Sequence, residues 1–132
     1  MPNIPQTGPK KKLLWIEDDA LLSAFITKEL SGSGFDFIIA KDGEDALMLL
    51  KGIMPDLVMV DLVLPGKVDG FGVLKAMSTD PRLKSIPKIV LSNLSDKQDT
   101  ERAKKLGADK FMVKADVSLA AILNEVRLQI AH

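Results

Sequence analysis

Leu57-Val58-Met59-Val60-Asp61 decides the fold: four apolar residues without a polar interruption, closed by a single acid. A run this short and uniformly apolar suits a strand covered on both faces, as in a parallel sheet with helices above and below. Four other runs of strand length stand at Leu13 to Ile16, Phe35 to Ala40, Ile86 to Leu91 and Lys110 to Val113. Longer stretches with helical spacing separate them. Strand then helix, five times over, predicts an α/β domain built on a parallel sheet.

The helical stretches have readable ends. Asp18 or Asp19 opens the first, which carries Leu22, Phe25, Ile26 and Leu30 and stops at Ser31-Gly32-Ser33-Gly34. Asp42 is placed to cap the second, with Ala46, Leu47, Leu49 and Leu50 inward, and Asp69 the third. Ser95 with Gln98 reads as a capping box for the fourth, and Asp116 as the cap of the fifth. Between Asp96 and Lys105 the fourth offers only Ala103 as an apolar residue, so it is expected to be weakly anchored. On the fifth, Leu119, Ile122, Leu123, Val126 and Ile130 form the core stripe. Val117, Ala121 and Leu128 lie off it and either widen the core face or form a dimer or partner face.

Composition narrows the function. At 132 residues with 46% hydrophobic and 27% charged side chains, the chain fits one soluble domain; residues 1 to 10, with three prolines, read as a flexible tail before a domain at 11 to 132. Eighteen basic residues balance eighteen acidic ones, so no global field recruits nucleic acid or a membrane surface. Cysteine is absent and the single histidine is His132, which excludes thiolate sites and histidine-centred chemistry. No apolar run approaches the roughly 18 to 20 residues of a spanning helix, and no signal-peptide core opens the chain, so a cytoplasmic location is expected. Gly32-Ser33-Gly34 ends a helix instead of opening one, and Gly66-Lys67 lacks the spacing of a P-loop.

In an open parallel sheet, ligands bind beyond the carboxyl ends of the strands. The first strand ends in Glu17-Asp18-Asp19, the third in Asp61, the fourth in Ser92-Asn93 and the fifth in Lys114. If the first and third strands are central neighbours, Glu17, Asp18 and Asp61 share a crevice whose repulsion a hard divalent cation would relieve. Oxygen donors without soft ligands suit magnesium better than calcium, whose ligand-dense loop is missing. Lys114 and Ser92 add a positive charge and a hydroxyl donor, a set that could stabilise a phosphoryl group on a carboxylate. Asp61, alone on its strand end, is the candidate nucleophile, with Glu17 and Asp18 holding the metal. Asp19 serves the first helix.

These residues resemble the receiver domain of two-component response regulators over about residues 11 to 130. The likeness is carried by Leu-Leu-Trp-Ile-Glu-Asp-Asp at 13 to 19, Ala-Lys-Asp-Gly-Glu-Asp-Ala-Leu at 40 to 47, Pro-Asp-Leu-Val-Met-Val-Asp-Leu-Val-Leu-Pro-Gly at 55 to 66, Asp-Gly-Phe at 69 to 71 and Val-Lys at 113 to 114. The resemblance implies a flavodoxin-like (βα)5 doubly wound sheet of order 2-1-3-4-5. It implies Asp61 as phosphoacceptor, with magnesium held by Glu17, Asp18, Asp61 and the backbone carbonyl of Val63. Ser92 matches the switch hydroxyl, Lys114 the phosphoryl-binding lysine and Phe111 the aromatic switch position.

Four departures stand out. Ala115 replaces the usual proline after Lys114, and the Pro65 to Gly70 loop is one residue longer than the commonest form. Phe111 has no phenolic hydroxyl. Asn93 replaces a small residue and is expected to narrow phosphoryl access, while apolar Val63 and Leu94 suit a long-lived phosphoryl group.

The expected function is a phosphorylation switch and not a turnover enzyme. A histidine kinase or histidine phosphotransfer protein phosphorylates Asp61, and the surface of the fourth helix, fifth strand and fifth helix then changes for a protein partner. No direct nucleic-acid binding by this chain is expected, and the chain is a monomer or a phosphorylation-dependent dimer. The alternative is a phosphate-independent receiver-like binding module. A haloacid dehalogenase type of phosphohydrolase fits less well, because Glu17-Asp18-Asp19 lacks its Asp-x-Asp pattern.

Overall fold

The computed structural model describes residues 10–32 and 34–130, so the expected tail, Lys10 apart, lies outside the described residues. In chain order the elements are β1 Lys11–Ile16, α1 Ala20–Leu30, β2 Phe35–Ala40, α2 Gly43–Gly52, β3 Leu57–Val60, α3 Gly70–Thr79, β4 Lys88–Ser92, α4 Lys97–Lys105, β5 Lys110–Val113 and α5 Leu119–Ile130, with a 3-10 turn at Lys114–Asp116. All strands are parallel, in the order β2-β1-β3-β4-β5. This is the flavodoxin-like order that the family resemblance implied. No helix among the described residues is long and apolar enough to cross a membrane.

Successive side chains of a strand point to opposite faces, and the central strands use that alternation to build two cores. Leu14, Ile16, Val58, Val60 and Val90 meet α2, α3 and α4 on one face. Leu13, Trp15, Leu57, Met59, Ile89, Leu91 and Met112 meet α1 and α5 on the other. Trp15 is a core residue, 1% exposed, with its ring centroid 5.9 Å from that of Phe37.

Asp19, Asp42 and Asp69 cap α1, α2 and α3 as expected. Asp19 Oδ1 accepts from the amides of Leu21 and Leu22, Asp42 Oδ1 from Asp45 and Asp69 Oδ1 from Gly72. Four boundaries differ from expectation. The first strand starts at Lys11, two residues before the expected Leu13, because its ladder with β2 pairs Lys11 and Lys12 with Phe35 and Asp36. The fourth strand begins at Lys88 and not Ile86, because Pro87 has no N–H for the ladder; it contributes its carbonyl, which accepts from the Val58 amide at 3.0 Å. The Ser95–Gln98 capping box does not form: the N-cap of α4 is Asp96, and it makes no side-chain cap bond. Asp116 does not cap α5, since the chain leaves β5 through the 3-10 turn that contains it; Ser118 Oγ accepts from the Ala121 amide instead, at 3.1 Å.

Anchorage of α4 is slight, as its composition indicated. Ala103 is its one buried residue, and the Arg102 guanidinium sits 4.1 Å from the Phe71 ring centroid of α3. On α5, Ile122 and Val126 are buried and Leu128 is 51% exposed; Val117, expected on this helix, lies ahead of it at the end of the 3-10 turn and packs half-buried against the core.

One close approach joins the fold to the strand ends. The Gly70 amide donates to the Leu62 carbonyl at 3.0 Å, and a Cβ at Gly70 would fall 2.2 Å from the Asp61 carbonyl oxygen. Helix α3 therefore starts against the backbone that carries Asp61. Gly70→Ala forces this contact apart and is expected to cost roughly 1–3 kcal/mol, as overpacking does. Urea unfolding would register the loss, and an unchanged midpoint would contradict the packing described.

Candidate functional site

Hydrogen bonding continues one residue past the central strands. The Asp61 amide donates to the Ile16 carbonyl at 3.1 Å, and the Glu17 amide to the Ala40 carbonyl at 2.9 Å. Both acids are thus held by the sheet itself, not by loops. Ser92 closes β4, and Lys114 follows β5 directly.

Asp61 is 7% exposed and has a donor on each oxygen. Oδ1 accepts from Ser92 Oγ at 2.8 Å and from the Val63 amide at 3.1 Å; Oδ2 accepts from Lys114 Nζ at 2.6 Å. Lys114 Nζ also lies 2.5 Å from Glu17 Oε1. Glu17 is 2% exposed, and its Oε2 accepts from the Asp19 amide at 3.2 Å. Its Oε1 is buried with no aligned hydrogen bond, so among the described residues the Lys114 ion pair alone balances it.

Burial is the largest influence on Glu17 and pushes its carboxyl above the ordinary range; the nearby Asp61 charge adds to this, while Lys114 and the Asp19 amide only partly offset it. For Lys114 burial acts downward, yet Asp61 and Glu17 together outweigh it and hold the ammonium above its ordinary 10.5. Lys114 therefore stays charged at neutral pH.

Carboxylate oxygens of Glu17, Asp18 and Asp61 lie within 4.8 Å of one another. Three acids against one ammonium leave excess negative charge, and Glu17 Oε1 still lacks an aligned donor. A hard, oxygen-seeking divalent cation fits this donor set.

The crevice is lined by Glu17, Asp18, Asp19, Asp61, Val63, Asn93 and Lys114. Two other residues singled out from the sequence are placed apart from it: Leu94 and Phe111 are half-buried against the core on the side of α3 and α4. Asp19, read only as a helix cap, both caps α1 and lines the crevice. Two departures from the family pattern prove to be partners. Asn93 Oδ1 accepts from the Ala115 amide at 3.0 Å, a bond that proline at 115 could not donate. Sequence reading noted each residue separately, and no local pattern signals that they touch.

The response regulator receiver domain model matches residues 13–127, and the chain belongs to that family. It is 40% identical over 105 residues to the probable transcriptional regulator ycf27 of Porphyridium aerugineum, covering 80% of this chain and 42% of that protein. The chain thus spans less than half the length of that curated relative. Among solved structures, the receiver domain of Francisella response regulator 1452 superposes with a TM-score of 0.82 at 26% identity, over 92% of this chain and 97% of that one. The Mn(2+)-bound form of response regulator Rcp1 gives 0.76 at 28% identity, over 89% of each chain.

Lys114→Met tests the electrostatics. It strands two buried carboxylates and is expected to destabilise the fold by roughly 3 kcal/mol at neutral pH. Because the Lys114 pKa is raised on folding, its contribution is fully present below 10.5 and is lost as pH rises through the higher folded value. The stability gap between wild type and variant should therefore close at strongly alkaline pH; a gap that does not change with pH would contradict the ion-pair assignment.

Proposed function

We propose that Asp61 accepts a phosphoryl group from the phosphohistidine of a histidine kinase or histidine phosphotransfer protein, making the chain a phosphorylation switch. The observation that carries this reading is the placement of Asp61 between the Ser92 hydroxyl and the Lys114 ammonium, beside Glu17 and Asp18. An Asp61 oxygen attacks phosphorus, the P–N bond breaks with its electron pair returning to the imidazole, and an acyl phosphate forms. Magnesium, when held by Glu17, Asp18, Asp61 and the Val63 carbonyl, supplies neutralising charge to the phosphoryl oxygens. The manganese-bound relative supports a divalent cation here.

Lys114 and Ser92 already bond opposite oxygens of Asp61, so both can transfer to phosphoryl oxygens with short movements. Drawing Ser92 inward shifts the loop to Leu94 and then α4, whose one buried residue is Ala103. Phe111, half-buried and without a hydroxyl to tether it, repacks into the space. The surface of α4, β5 and α5 re-forms and is read by a protein partner. Asn93 on the rim narrows access. Val63, which lines the crevice, offers no side-chain group to orient an attacking water, and Leu94 is turned to the core, which supports a long-lived acyl phosphate.

Intact-protein mass after incubation with magnesium and acetyl phosphate tests the reading. A single phosphoryl adduct is expected, absent from Asp61→Asn and from chelator-treated protein. An adduct that persists in Asp61→Asn, or no adduct on folded, magnesium-binding protein, would count against Asp61 as acceptor from this donor.

A further inference from the structure

We infer that Glu44, which touches neither the crevice nor the proposed metal ligands, is a positioning residue that sets magnesium affinity by strapping down the loop bearing Val63. The inference rests on the proposed metal site and deepens it.

The segment from Leu62 to Asp69 joins β3 to α3 and is held at three points. At its base the Gly70 amide bonds the Leu62 carbonyl, and at its start the Val63 amide bonds Asp61 Oδ1. At its far end the Val68 amide donates to Glu44 Oε1 at 2.9 Å, across 24 positions of sequence. This last contact ties the loop to the first turn of α2.

Glycines make the interlock close. A Cβ on Gly43 would lie 2.2 Å from the Val68 carbonyl oxygen, so the first turn of α2 rests on the Val68 backbone. Gly66 takes φ +88, which side chains other than glycine's rarely adopt, and its own Cβ would meet Glu44 Oε2 at 2.5 Å. Gly72 at the start of α3 leaves room for the Val68 side chain, since a Cβ there would stand 3.0 Å from Cγ1. Val68 is thereby seated between the first turns of two helices, with the Glu44 carboxylate closing the seat.

The oxygens able to share a cation belong to Glu17, Asp18 and Asp61, so Glu44 acts at a distance. With the strap in place, the loop is tied at the Val63 amide to Asp61 and at the Val68 amide to Glu44, so the Val63 carbonyl would meet the metal at a lower ordering cost. Without it, the loop from Val63 to Val68 has to be ordered when the ion binds.

The test uses the whole chain as wild type, Glu44→Ala and Glu44→Gln, reading magnesium affinity by calorimetry and the acetyl phosphate reaction rate against magnesium concentration. Glu44→Ala should weaken magnesium binding about fivefold, the worth of one ordinary hydrogen bond. At saturating magnesium its rate should return to that of wild type. Glu44→Gln keeps an acceptor oxygen and should bind magnesium like wild type. Wild-type affinity in Glu44→Ala would overturn the inference, as would Glu44→Gln matching the alanine variant, because charge and not the strap would then be responsible. Wild-type protein that binds no magnesium would overturn the proposed metal site itself and this inference with it, a result distinct from the other two.

Discussion

Two carboxylates are buried at the ends of the two central strands, and the Lys114 ammonium makes that burial tolerable. Unpaired, either acid would cost several kcal/mol or take up a proton. The sheet order dictates the arrangement. Because β1 and β3 are neighbours, Glu17 and Asp61 must face one another; because β5 stands two places from β3, Lys114 must reach across the end of β4, where Ser92 sits. One lysine bridges both acids and leaves Asp61 with a donor on each oxygen.

That concentration of charge is set against a weakly tethered flank. On one side of the site, α1 and α5 meet the sheet through Ile26, Leu30, Ile122 and Val126. On the other, α4 contributes Ala103 and an Arg102–Phe71 contact. In the proposed switch, a change at Asp61 passed on through Ser92 would therefore meet least resistance toward α4. The loops around the crevice are tied by single long-range bonds: Glu44 to Val68 holds the loop after β3, and Asn93 to Ala115 joins those after β4 and β5.

Much of this was legible in the sequence where side-chain pattern and structure share one cause. The apolar runs of β2, β3 and β5 have the bounds their residues indicate, and three aspartates cap the helices they precede. Glu17, Asp18, Asp61, Ser92 and Lys114 were readable because each stands where an apolar strand stops, and strand ends converge in this topology. What escaped depended on backbone partners. Pro87 moved the start of β4, and the 3-10 turn that begins at Lys114 displaced the start of α5 beyond Asp116. Lys88 interrupts an apolar run, yet it is 2% exposed, because its Nζ donates to the carbonyls of Lys84 and Ile86 at 3.0 and 2.7 Å. Burial holds its pKa below the ordinary value. The Glu44–Val68 and Asn93–Ala115 bonds join a side chain to a main-chain amide 24 and 22 positions away, and a backbone N–H leaves no mark on composition or spacing.

Ser92 and Lys114 each bond one oxygen of Asp61, and in the proposed switch both transfer to the phosphoryl group. A crystal structure of the chain grown with magnesium and beryllium fluoride, a phosphoryl mimic, tests it most directly. Expected are an adduct on Asp61, Ser92 Oγ and Lys114 Nζ moved from the carboxylate to the fluorines, and the cation among Glu17, Asp18 and Asp61. An adduct-free Asp61 still bonded to both, or an adduct that neither residue contacts, would contradict it.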